Sequence, residues 1–87
     1  MATTQRTVPE EAAIVCDPAV LGGEPTVQGT RISVRSVVLA AQEYGGVEGA
    51  RRAYPQLERQ VIQQALRYYQ AHRAEIERYI EANATED

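Results

Sequence analysis

Arg59, Gln60, Gln63, Gln64 and Arg67 recur at three- and four-residue intervals opposite the apolar set Val61, Ile62, Ala65 and Leu66. A helix through this segment presents the polar set together on its outer face. Guanidinium groups pair with guanine edges and phosphates, and carboxamides pair with adenine, so such a face is equipped to read a DNA major groove. The same residue types are also good helix formers on a solvated surface. Other chemistry is scarce. Cys16 and His72 are the single thiol and the single imidazole. A lone Cys in the run Ala13-Ile14-Val15-Cys16 is expected as a small buried hydrophobe, and the sequence places no third residue to orient the His. Glu75, Glu77 and Glu81 read as solvation of a helix face. Gly22-Gly23 and Gly29 precede no helix start with Lys, so they serve turns. All nine basic residues are Arg, which removes a P-loop lysine and a Schiff base. One Cys and one His build neither a zinc site nor an internal disulfide. The expectation is a non-enzyme with no catalytic residue, cofactor or metal.

Eighty-seven residues make one domain. Val, Ile and Leu supply 18 of them, Ala 13, and Phe and Trp none, so the core must be thin. A share of about one fifth for the large aliphatics is near the lower limit for chains that fold alone, and some apolar area is expected to be buried against a second chain. The net charge of -3 hides a division: residues 28–73 carry seven Arg against three Glu, while 1–27 and 74–87 sum to -3 and -4. A phosphate backbone meets a local patch, not the total. The longest apolar run, Val37 to Ala41, is far too short to span a membrane, and the N-terminus lacks a signal-peptide core. A cytoplasmic location follows as an expectation.

Residues 1–11 read as a disordered lead-in, 12–82 as the folded domain and 83–87 as a frayed tail. Ala13–Cys16, Thr26–Gln28 and Arg31–Val34 are short strand candidates separated by turn residues. A helix capped by Ser33 or Ser36 ends at Tyr44 with Gly45 beyond it. A second fits Val47 to Tyr54 after Gly46 and is stopped by Pro55. A third starts near Glu58, and around His72 the pattern either continues or bends into a stretch with Ile76, Tyr79 and Ile80. The fold class is mostly α with a small β N-terminal arm. Its tri-helical core has the layout of a homeodomain-like helix-turn-helix, followed by a C-terminal helical extension. Arg51 and Arg52 on the second helix join the five polar residues of the third as the expected DNA-binding set.

The segment Gly23-Glu24-Pro25-Thr26-Val27-Gln28-Gly29-Thr30-Arg31-Ile32-Ser33-Val34 resembles the signature G-x-P-x-x-x-G-T-R-I-x-V of the bacterial and archaeal family called domain of unknown function 433. Ile14 to Pro18 is similar to the family's opening I-x-x-D-P, Tyr54-Pro55-x-Leu57 to its Y-P-x-L, and Ala65-Leu66-x-Tyr68 to its A-L-x-Y. The resemblance covers residues 14 to about 76. The chain departs from the pattern at Gly45-Gly46-Val47-Glu48, where a small polar cap is usual, and at Glu58, where Thr usually caps the third helix. The resemblance implies a homeodomain-like core behind a β arm and an antitoxin role, often beside a PIN-like ribonuclease toxin.

Two functions remain open at this point. One is a non-enzymatic antitoxin-like protein that dimerises through residues 13–34, binds operator DNA and masks a nuclease. The other is a protein–protein adaptor whose helices no longer touch DNA. Exposed strand edges invite pairing with a second chain, against the alternative of strands that fold back within a monomer. Gly23, Pro25, Gly29, Thr30 and Arg31 form the structural motif, with the Arg31 guanidinium expected to fork onto carbonyls or a carboxylate and hold the arm to the helices.

Overall fold

Ser33 opens the first helix, α1 (Val34–Tyr44), in the computed structural model, which describes residues 13–84. Ser33 is extended, and its hydroxyl accepts the Ser36 N–H at 3.0 Å. Of the two candidate serines, it is the cap. Val34, Val37, Val38 and Ala40 form the buried stripe. Gly45 stops the helix at φ 100° and Gly46 follows at φ 77°, a double left-handed step that only glycine takes without strain. It turns α2 (Gly46–Ala53) back onto α1. Gly49 then lies so near the Tyr44 backbone that a Cβ at this position would overlap the Tyr44 carbonyl. Glycine is required there by contact, and Ala50 beside it is fully buried.

Residues 54–58 connect α2 to α3 (Arg59–Ala71), with Leu57 buried and its N–H bonded to the Tyr54 carbonyl at 2.9 Å. Glu58 caps α3 without a side-chain hydrogen bond, as expected of a weaker cap. At His72 (φ -129°, ψ 44°) the chain bends, and α4 (Arg73–Ala84) begins. Ile62, Ala65 and Tyr68 of α3 and Ile76 of α4 complete a single core with Ile14, Val27, Leu57, Ala50 and the α1 stripe. α4 runs through Asn83 and Ala84, two residues past the expected end of the domain, and the Asn83 amide donates to the Tyr79 carbonyl at 2.7 Å. The lead-in and residues 85–87 lie outside the described residues.

Aromatic side chains fix the bend. Tyr68 stacks on His72 with centroids 4.1 Å apart, and its hydroxyl donates to Glu75 at 3.4 Å. The Tyr69 hydroxyl donates to Glu77 at 2.6 Å, while Arg73 lies over the Tyr69 ring. Glu75 and Glu77 are therefore structural acceptors, not solvation alone. Burial above all, then the neighbouring Cys16 thiol and the Glu75 carboxylate, push the Tyr68 phenol well above its ordinary pKa. Cys16 itself is exposed rather than buried, because the strand ends before it.

The arm folds back within the chain. β1 (Ile14–Val15) pairs antiparallel with β2 (Thr26–Val27), Ile14 opposite Val27, and Thr26 bridges to Ser33. The three strand candidates thus meet one another as two short strands and a bridge. The signature segment closes on itself: Gly29 takes φ 82°, the Thr30 hydroxyl donates to the Val27 carbonyl at 2.9 Å and accepts the Ile32 N–H at 2.9 Å, and Val34 N–H donates to the Pro25 carbonyl at 2.9 Å. The arm is then tied to α1 by Glu24, whose side chain is 6% exposed and accepts Arg35 Nε at 2.7 Å and Nη2 at 3.2 Å. Arg31, expected to make this tie, is exposed and has no partner among the described residues. Arg35, the second residue of α1, has the reach toward Glu24 that Arg31, beyond the Gly29 turn, lacks.

Two expectations follow. Arg35→Met leaves the buried Glu24 carboxylate unpaired and should cost about 3 kcal/mol, a fall in Tm of roughly 10 °C or more for a domain of this size. Arg31→Ala should stay within about 0.5 kcal/mol of wild type; equal losses in thermal denaturation would return the tie to Arg31. For Tyr68, the folded chain keeps the phenolic proton where the unfolded chain loses it, near pH 10. The stability is complete below that pH and is lost above it. Between about pH 9 and 11, urea unfolding of wild type should weaken more steeply than that of Tyr68→Phe, by about 1 kcal/mol per pH unit. Parallel pH profiles would mean that Tyr68 ionises as a free phenol does.

Candidate nucleic-acid interface

The outward side of α3 divides into two flanks. Arg59, Gln63 and Arg67 follow one another at four-residue intervals, and Gln60 sits beside them, three residues before Gln63. Arg59, Gln60 and Arg67 are exposed and Gln63 is half-buried, so four of the expected residues form one continuous face. Gln64 does not belong to it. Its amide oxygen accepts the Ala13 N–H at 3.0 Å and so holds the start of the arm against α3. The Ala13 carbonyl is taken in turn by Gln28 N–H at 2.7 Å.

The two arginines of α2 also separate. Arg52 is exposed, and its Nη2 donates to the Tyr44 carbonyl at 2.8 Å, capping the end of α1. This is the usual use of a basic side chain beside the last carbonyls of a helix. Arg51 is half-buried with its Nε wholly enclosed. Between α2 and α3, the exposed Glu48 carboxylate pairs with Arg59. The face is thus cationic at Arg67 and partly neutralised at Arg59 at its N-terminal end. Sequence reasoning missed Glu48 as a partner of Arg59, because the two are eleven residues apart on different helices and no periodicity links them.

The Cys16–His72 region has a different character. Both residues border Tyr68, and Glu75 lies 3.7 Å from His72 Nδ1. Glu75 stands three residues after His72, a helical-neighbour spacing that the sequence reading did not weigh as a partner for the imidazole. Among the described residues no group of three or more His, Cys, Asp or Glu side chains is arranged to hold a metal ion. No described helix is long and apolar enough to cross a membrane.

Four helices behind a two-stranded arm, with an open polar face on the third, define a small mostly helical protein. The family model described as "Protein of unknown function (DUF433)" matches residues 14–69, and the chain belongs to that family. It is similar to the crystal structure of a DUF433 member protein from Anabaena variabilis ATCC 29413, with 29% identity and a TM-score of 0.71 over 79% of this chain and 68% of that one. No curated protein matches the chain.

If Gln64 is the arm's acceptor, Gln64→Ala should speed hydrogen exchange at the Ala13 amide and lower stability by about 1 kcal/mol, while Gln60→Ala should leave both unchanged. Unaltered protection of Ala13 in the Gln64 variant would release Gln64 to the open face.

Proposed function

We propose that the protein is a non-enzymatic, antitoxin-like DNA-binding protein of the cytoplasm that reads operator DNA with α3 as the second helix of a helix-turn-helix. The observation carrying this is the open face of Arg59, Gln60, Gln63 and Arg67 on the third of three mutually packed helices. Arg and Gln at these spacings suit the guanine and adenine edges of a major groove, and in this reading α2 follows the phosphate backbone. Dimerisation through the arm is part of the proposal, because two recognition helices related by a two-fold axis match a palindromic operator. A PIN-like ribonuclease as the neutralised partner is carried by the resemblance described above.

The adaptor reading has an observation of its own. Gln64 serves the arm and Arg59 serves Glu48, so two of the five α3 side chains are already occupied in the free protein.

Binding to fragments of the protein's own promoter, measured by fluorescence anisotropy across a salt series, separates the two. Gln63→Ala should change sequence preference. Arg67→Ala should weaken all sequences alike and lower the salt slope by about one unit. No binding to any promoter fragment at low salt would leave the adaptor.

A further inference from the structure

An open cleft of about 830 Å³ lies in the arm, and Val15 and Val20 line it together with Asp17, Gln28, Thr30 and Arg31. Asp17 and Arg31 are both exposed, and no ion pair among the described residues includes either. The backbone on both sides of the cleft is fixed by hydrogen bonds. Around Arg31 the Thr30 hydroxyl donates to the Val27 carbonyl and accepts the Ile32 N–H. Along residues 17–24, Val20 N–H donates to the Asp17 carbonyl at 2.8 Å, and Glu24 N–H to the Leu21 carbonyl at 3.2 Å. Leu21, next to Val20, takes φ 52°, the one positive φ of a non-glycine among the described residues, and it is 41% exposed. A bulky side chain persists in the left-handed region only where its surroundings over-determine the backbone. The turn therefore presents a leucine to solvent beside a cleft that has two valines in its wall.

We propose that this cleft is a self-complementary docking surface whose occupant is the arm of a second copy of this chain. Each Leu21 enters the apolar part of the other copy's cleft, and each Arg31 pairs with the partner's Asp17. A two-fold axis presents one patch to itself, so the patch must carry both members of every contact. This one carries an apolar knob and an apolar recess, an unpaired cation and an unpaired anion. A nucleic-acid backbone or an acidic peptide would satisfy Arg31 but meet Asp17 with like charge, whereas a second copy satisfies both. The surface rests on the arm-mediated dimer of the functional proposal and assigns its contacts. It also gives Arg31 a role that does not pass through the stability of the single chain.

Sedimentation equilibrium of the 87-residue chain without DNA tests the surface by charge reversal. Arg31→Glu sets a carboxylate against the partner's Asp17, and Asp17→Arg sets a guanidinium against the partner's Arg31. Each variant alone should dimerise roughly tenfold more weakly than wild type, or worse. Mixed in equal amounts they should recover wild-type affinity as a heterodimer, because both cross-pairs are then opposite in sign. Leu21→Asn keeps a residue type that tolerates the left-handed backbone. It should weaken the dimer while the dilute monomer melts no lower than wild type. Asp17 also accepts the Ala19 N–H at 2.9 Å, so should Asp17→Arg fail to fold, Arg31→Glu and Leu21→Asn decide. A wild type that stays monomeric at its highest soluble concentration overturns the surface. So does a dimer that neither of those two variants weakens, or a mixture of folded charge variants that stays monomeric. A dimer untouched by Arg31→Glu whose promoter affinity falls instead makes Arg31 a DNA contact and also overturns the pairing. Promoter binding by a monomeric wild type overturns the surface alone. A charge-reversible dimer that binds no promoter fragment supports the surface, and the DNA reading then fails alone.

Discussion

Gly49 against the backbone of Tyr44 is the contact on which the helical arrangement depends. A chain with few large aliphatic side chains and no Phe or Trp cannot fill wide gaps between helices. It gains packing by bringing backbones together, and here α2 touches the end of α1 with no side chain between them. The two left-handed glycines before it set the angle of return, and the fully buried Ala50 keeps the separation small. Once α2 is fixed this way, Leu57 and Ile62 have one place to go, and the direction of α3 follows. The open face of α3 is therefore aimed by a glycine in the preceding helix.

The arm is held by polar bonds more than by apolar area. Its strands are two residues each and contribute Ile14 and Val27 to the core. The Glu24–Arg35 pair fastens it to α1 and the Gln64–Ala13 bond fastens it to α3. A buried ion pair is a modest source of net stability but a strict source of geometry, since neither charge tolerates being left alone. The helix carrying the candidate interface is consequently shared between three neighbours: core on one side, arm on a second, and solvent on the third.

Much of this was legible in the residues. Ser33, Gly45 and Pro55 mark the ends of α1 and α2 because capping and termination are local chemistry, and the α3 stripe is visible because burial repeats with the helical turn. The signature segment marked a structural unit, but its key charge was misplaced. Arg31 stands inside the motif and Arg35 outside it, and only the fold shows that the turn at Gly29 carries Arg31 away from Glu24. The bend at His72 was ambiguous because Tyr69, Ile76 and Ile80 keep the helical phase across it. The strands were read too long for a similar reason: β-branched residues report a preference for extended backbone, not the length of a ladder. Of the expected interface, the residues that stayed together share one helical face, and those that left it, Gln64 and Arg52, were claimed by backbone groups brought near only by tertiary structure.

The bonds at Ala13 also have a mechanical consequence. Tension applied at Ala13, the first described residue, is met by its carbonyl held by Gln28 and its amide held by Gln64. The two-residue ladder behind them offers little further resistance, and the next stop is the buried Glu24–Arg35 clasp. A pull at Ala13 therefore loads these polar ties and the Ile14–Val27 pair before it reaches the packing between the helices. Load from the opposite end enters through α4, where Ile76 is the single fully enclosed side chain, and starts a different sequence of failure.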